Sequence, residues 1–188
     1  RIYKNLNQID LAIKYYKKVL SINPDHPDTL NNLGNLYNAT GNYNTAISLF
    51  QKVILLLPNA PQPYSNISQT YILLDDYDLA IKYAQKSIEL NPSFLDAYHN
   101  LIKAQINSDL FEDALYTVTR ALDVEINNND TLILFSQVLE GTLFTKYDLT
   151  LDKKIDILFD KNISGKFLAS LTVRLEKHHD IEFLLSQL

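Results

Sequence analysis

Leu30, Leu33 and Tyr37 recur at spacings of three and four, which places them on one face of a helix. Gly41 and Asn42 interrupt that face. Tyr43 then opens a second one, continued by Ala46, Ile47, Phe50, Val53 and Ile54. Pro58 closes it, because proline donates no backbone hydrogen bond and disfavours the α conformation in the residue before it. The pattern is that of two helices joined by a tight turn. Applied along the chain, it predicts helices near residues 9–22, 28–40, 43–57, 62–74, 77–90, 95–107 and 111–124, with no strand before residue 128.

The pattern also repeats every 34 residues. Ala12, Ala46, Ala80 and Ala114 fall in register, and so do Pro24, Pro58 and Pro92. Tyr43, Tyr77 and Phe111 follow the same step, as do Leu33, Ile67 and Leu101, and Tyr3, Tyr37 and Tyr71. Small, aromatic and proline positions held at fixed offsets mark a stack of like units. Gly34 and Ala46 are small enough to let the two helices of a hairpin approach closely. A single hairpin cannot bury both of its apolar faces, so neighbours must stack. Ala80 is accordingly expected to lie buried between paired helices.

Leu33-Gly34-x-x-Tyr37, then Ala46-x-x-x-Phe50, then Pro58 resembles the tetratricopeptide repeat, a helix–turn–helix family. The resemblance covers residues 1–128 and implies an all-α, right-handed solenoid. Residues 27–60 and 61–94 are complete copies. Residues 95–128 form a degenerate one, with Gln105 for the aromatic, Ile102 for the small residue and Ile126 for the closing proline. Residues 1–26 read as a truncated repeat holding the end of a first helix and an intact second helix from Ile9, so further repeats are expected upstream. After residue 128 the register is expected to lapse. Asn127, Asn128, Asn129 and Asp130 make a polar break that can cap a helix over 131–140. An irregular stretch from Gly141 to Thr150 and amphipathic helices over 151–159, 164–177 and 181–188 should follow. Residues 129–188 would then cap the last hairpin or lead to another domain. This tail resembles the segment after the repeats in bacterial proteins that couple them to a methyltransferase or another transferase.

In the family, the first helix of each hairpin lines a concave groove. Its sixth position is Asn32, Asn66 and Asn100. An amide carries both a donor and an acceptor, as a peptide unit requires. The series therefore reads as a ladder gripping an extended peptide, similar to the one in O-linked N-acetylglucosamine transferases, with all three side chains exposed and not bonded to one another. The competing reading is that Asn is merely abundant in this chain. Asn31, Asn35, Gln62, Ser65, Gln69, Asp96, His99 and Lys103 flank the ladder and would supply specificity. The chaperone co-factors of this family clamp a terminal carboxylate with Lys and Arg. Here Asn31, Asn35, Asn66, Asp96 and Asn100 stand at the corresponding positions, so that clamp is not expected.

Charge and composition narrow the function further. A net charge of −5 argues against a nucleic-acid partner. The 12 Tyr and 8 Phe fall mostly at core positions of the repeat. With no Cys there is no thiolate ligand, cysteine nucleophile or disulfide. No apolar run is long enough to cross a membrane. His26 sits in a link between helices, and His178-His179-Asp180 is a poor ligand set because adjacent helical side chains diverge. His99 has no carboxylate at helical spacing. No catalytic residue, metal or cofactor is expected. The reading is a cytoplasmic peptide-binding or scaffolding module. The alternative is the substrate-recruiting arm of a methyltransferase or O-linked glycosyltransferase whose catalytic domain lies outside this chain.

Overall fold

Three residues 34 positions apart decide where the hairpins turn. Gly41, Asp75 and Asp109 have φ of 79°, 57° and 58°, the left-handed region that reverses a chain at a helix end. Each is followed by an amide that reaches back to close the turn. Asn42 donates to the carbonyl of Tyr37 (2.8 Å), Asp76 to Tyr71 (3.0 Å) and Leu110 to Gln105 (2.9 Å). Asp76 also accepts from the amide of Leu79, capping the helix that follows. Proline contributes at the other ends: Pro27 and Pro61 open their helices, where a missing amide hydrogen costs nothing.

The computed structural model describes residues 2–145. The described residues form α1 (Ile2–Ile22), α2 (Pro27–Ala39), α3 (Tyr43–Leu56), α4 (Pro61–Leu73), α5 (Tyr77–Leu90), α6 (Leu95–Asn107), α7 (Phe111–Val124) and α8 (Asn129–Thr145), with no strand among them. From α2 to α7 the ends lie within about two residues of the sequence expectation. The fold is an all-α solenoid of stacked hairpins.

Three expectations are corrected. The first segment is one helix from Ile2 to Ile22, not a helix end, a turn and a second helix. Residues 3–10 contain no Gly or Pro that would break the helix there. Continuing the helix keeps the backbone hydrogen-bonded instead. At the other end, the 34-residue register does not lapse at residue 128. Thr131, Phe135 and Leu139 are buried at the positions that Ala97, Leu101 and Gln105 hold one hairpin earlier. Asn128 caps this helix through the amide of Thr131 (3.1 Å). It packs on α7 and α6 as α6 packs on α5 and α4, and so takes the place of the first helix of a further hairpin. Nor does it break at Gly141. A Cβ there would run into the Phe111 ring, so the glycine lets α8 lie directly on the start of α7. The helices expected over 151–159, 164–177 and 181–188, and His178-His179-Asp180, lie outside the described residues.

The core follows the small positions. Ala46, Ala80 and Ala114 are each fully buried. Gly34 faces Phe50 so closely that an added Cβ would stand 2.5 Å from the ring. Successive first helices also touch: α2 with α4, α4 with α6, and α6 with α8. The second helices α3, α5 and α7 pack on first helices and not substantially on one another. The stack therefore curves, with the first helices on its inner side. No helix of the described residues is long and apolar enough to cross a membrane.

Candidate functional site

Residues at i, i+4 and i+7 of each first helix share the inner face. In α2 these are Asp28, Asn32 and Asn35, and in α4 they are Gln62, Asn66 and Gln69. In α6 they are Asp96, Asn100 and Lys103, and in α8 Asp130, Leu134 and Gln137. The outer members are exposed on every helix: Asp28, Gln62, Asp96 and Asp130 on one side, Asn35, Gln69, Lys103 and Gln137 on the other. The middle members are not alike. Asn32 is exposed, Asn66 is half-buried, Asn100 is only 8% exposed and Leu134 is buried.

Hydrogen bonds explain the trend. The Asn66 amide donates to Asn31 Oδ1 (2.7 Å), and the Asn100 amide donates to the carbonyl of Ser65 and to its Oγ (3.0 Å each). All three bonds run from the sixth position of one first helix to the fifth position of the preceding one. The expected ladder of free amides is thus, at Asn66 and Asn100, a set of ties between neighbouring helices. Asn31 and Ser65 are buried as the acceptors of those ties, so neither is a groove residue. Where α8 offers Leu134 at the sixth position, His99 bonds sideways to Thr131 Oγ1 instead (2.8 Å). His99 is buried between α6 and α8, not displayed to a ligand. That burial, with Lys103 close by, pulls its pKa below the usual value against the opposing pull of Asp130, Asp96 and Glu125. Asn32 keeps an exposed amide because no first helix precedes α2 among the described residues.

Of the residues expected in the groove, Asn32, Asn35, Gln69 and Lys103 remain exposed and Asn66 partly so. Gln62 and Asp96 are exposed beside them. The ties could have been anticipated from polar residues repeating at the fifth position, where contact between first helices calls for a partner. What remains is an inner surface of carboxamides with few charges. Lys103 is the one Lys or Arg in α2, α4, α6 and α8, against the exposed carboxylates of Asp28, Asp96 and Asp130. Among the described residues no group of three His, Cys, Asp or Glu side chains is placed to hold a metal ion.

Comparison with known proteins agrees with this architecture. A family model described as tetratricopeptide repeat matches residues 25–93, and a second, described as TPR repeat, matches residues 1–41. No curated protein matches the chain. Among solved structures it is similar to the MamA protein (23% identity over 93% of this chain and 86% of that one, TM-score 0.64). It is similar also to the first TPR of Spaghetti (RPAP3) bound to an HSP90 peptide (24% identity, 61% and 91% covered, TM-score 0.58). A third is the TPR2B domain of yeast Sti1 in its pHsp70 complex (22% identity, 62% and 98% covered, TM-score 0.58). At these identities the likeness is one of fold.

Proposed function

Since the chain belongs to the tetratricopeptide-repeat family, we propose that it is a protein-interaction module that binds an extended polypeptide along the inner face of its first helices. The observation that carries this reading is the exposed row Asn35, Gln69 and Lys103, one residue per hairpin, with Asn32 beside it. First helices stacked about 10 Å apart present one such side chain to roughly every third residue of a ligand that advances about 3.3 Å per residue. Asn35 and Gln69 offer both donor and acceptor to a peptide backbone. The row is already fixed to a rigid stack, so little ordering entropy is lost on the receptor side. Peptide binding by the RPAP3 neighbour supports the reading for the fold as a class.

The charge of the face separates this module from domains that capture an acidic chain end. One lysine set among three aspartates favours a neutral or weakly basic ligand. Panning a random display library of short peptides on the whole chain tests this directly. Recovered peptides should be neutral or basic, and their binding should shift the amide resonances of Asn35, Gln69 and Lys103. Enrichment of acidic C-termini, or shifts confined to the outer face, would overturn the proposal.

A further inference from the structure

A second recess opens on the opposite face, where α5 and α7 stand apart over α6. It is an open cleft of about 490 Å³ lined by residues that include Ile81, Gln85, Ile88, Gln105, Thr117 and Arg120. Its origin is visible one hairpin earlier. There Tyr71 and Tyr83 stack at 5.6 Å and, with Ile54, pack against the buried cluster of Ala46, Phe50 and Ile67. Advancing 34 residues, Gln105 stands for Tyr71, Thr117 for Tyr83 and Ala84 for Phe50. Three aromatic rings have been replaced by smaller groups while the helices keep their register. Gln105 is only 6% exposed, and its buried Oε1 has no hydrogen-bond partner. The terminal amide turns on a soft torsion, so it can bring either its acceptor or its donor toward the cleft. The Arg120 guanidinium lies over the Tyr98 and Tyr116 rings and donates to Tyr98 Oη (3.2 Å), which fixes one wall.

We propose that this cleft binds a tyrosine side chain of a partner polypeptide, whose ring takes the place that Tyr71 and Tyr83 fill one hairpin earlier and whose hydroxyl bonds to the Gln105 amide. The walls are apolar where a ring would lie, with Ile81 and Ile88 on one side. The polar lining includes the amides of Gln85 and Gln105, which both donate and accept as a phenol does, with Glu89, Asp113, Tyr116 and Arg120 beside them, while the Thr117 hydroxyl donates to the Asp113 carbonyl (2.9 Å) and keeps its acceptor. The cleft is open along the surface, so a ring can enter while still attached to a chain. It lies away from the exposed inner row of Asn35, Gln69 and Lys103, none of which lines it.

The test uses the full chain with p-cresol and N-acetyl-tyrosinamide as probes, read by amide chemical shifts. Both should bind with a dissociation constant of about a millimolar, which suits fragments of this size. The shifts should centre on Gln85, Gln105 and Thr117. Gln105→Tyr restores the ring of the repeat and should weaken both probes by about ten-fold or more. Thr117→Tyr should do the same, and serves if the first variant misfolds. The inference is overturned if neither probe shifts these residues at tens of millimolar, or if the affinities survive both variants. Binding of p-cresol without N-acetyl-tyrosinamide overturns it as well, since a residue within a chain would then be excluded.

Discussion

The hairpin of α4 and α5 and the hairpin of α6 and α7 have the same turn, the same helix lengths and the same buried alanine, yet they differ in what they enclose. In the first, Tyr64, Tyr71 and Tyr83 form an aromatic cluster, with Tyr83 6.4 Å from Tyr64 and 5.6 Å from Tyr71. In the second, only Tyr98 of that trio persists, and it carries Arg120 on its ring. The backbone register depends on Ala80 and Ala114 and on the left-handed residues Asp75 and Asp109, which both hairpins retain. The aromatic positions can therefore change without changing the stack. One hairpin spends its aromatic positions on its own stability, and the next leaves them open to something else.

The sharpest way to break this comparison is to make the first hairpin like the second. Tyr71→Gln with Tyr83→Thr should destabilise the protein by about 2–4 kcal/mol, less than for fully buried rings because both are partly exposed. Unchanged denaturant unfolding would show that the aromatic cluster is not what closes that space. Ala80→Leu attacks what the hairpins share. Overpacking a fully buried position between helices should cost about 1–3 kcal/mol in the same assay; a melt matching the parent would refute the packing described for all three alanines.

A further contrast lies within the asparagine series. Asn100→Ala removes a buried tie and leaves Ser65 unpaired, at a cost of about 1–3 kcal/mol. Asn32→Ala, at the same repeat position but exposed, should stay within about 0.5 kcal/mol. Equal effects would mean that burial does not distinguish them. The smallest effect concerns pH. Because His99 is held neutral by burial, its folded pKa lies below its ordinary 6.5. Below about pH 6.5 the unfolded chain takes up the proton first, so the stability due to neutral His99, complete above that pH, declines as pH falls. His99→Gln should flatten the fall in melting temperature between about pH 7 and pH 5.5. An unchanged slope would place the titration elsewhere.

Much of this architecture was legible in the sequence because it rests on local chemistry. Pro58, Gly41 and the buried alanines each act within their own hairpin, so reading one unit reads the rest. The ties were missed for the opposite reason. Asn66 to Asn31 and Asn100 to Ser65 span 35 residues and exist only once helices stack, and no single hairpin contains them. Gln105 was visible as a departure from the repeat, but that it leaves a cleft depends on Thr117 and Ala84 being small as well. The place of α8 in the stack was hidden because Thr131, Phe135 and Leu139 match their predecessors in burial more than in residue type.

The central claim is that the inner face binds a polypeptide through the row that the ties leave free. A peptide recovered by display should be titrated calorimetrically against the parent and against Asn35→Ala, Gln69→Ala and Lys103→Ala combined. Three lost hydrogen bonds at about 0.5–1.5 kcal/mol each predict a roughly ten- to thousand-fold weaker affinity, with the melting temperature nearly unchanged. A triple variant that binds as tightly as the parent would contradict the account.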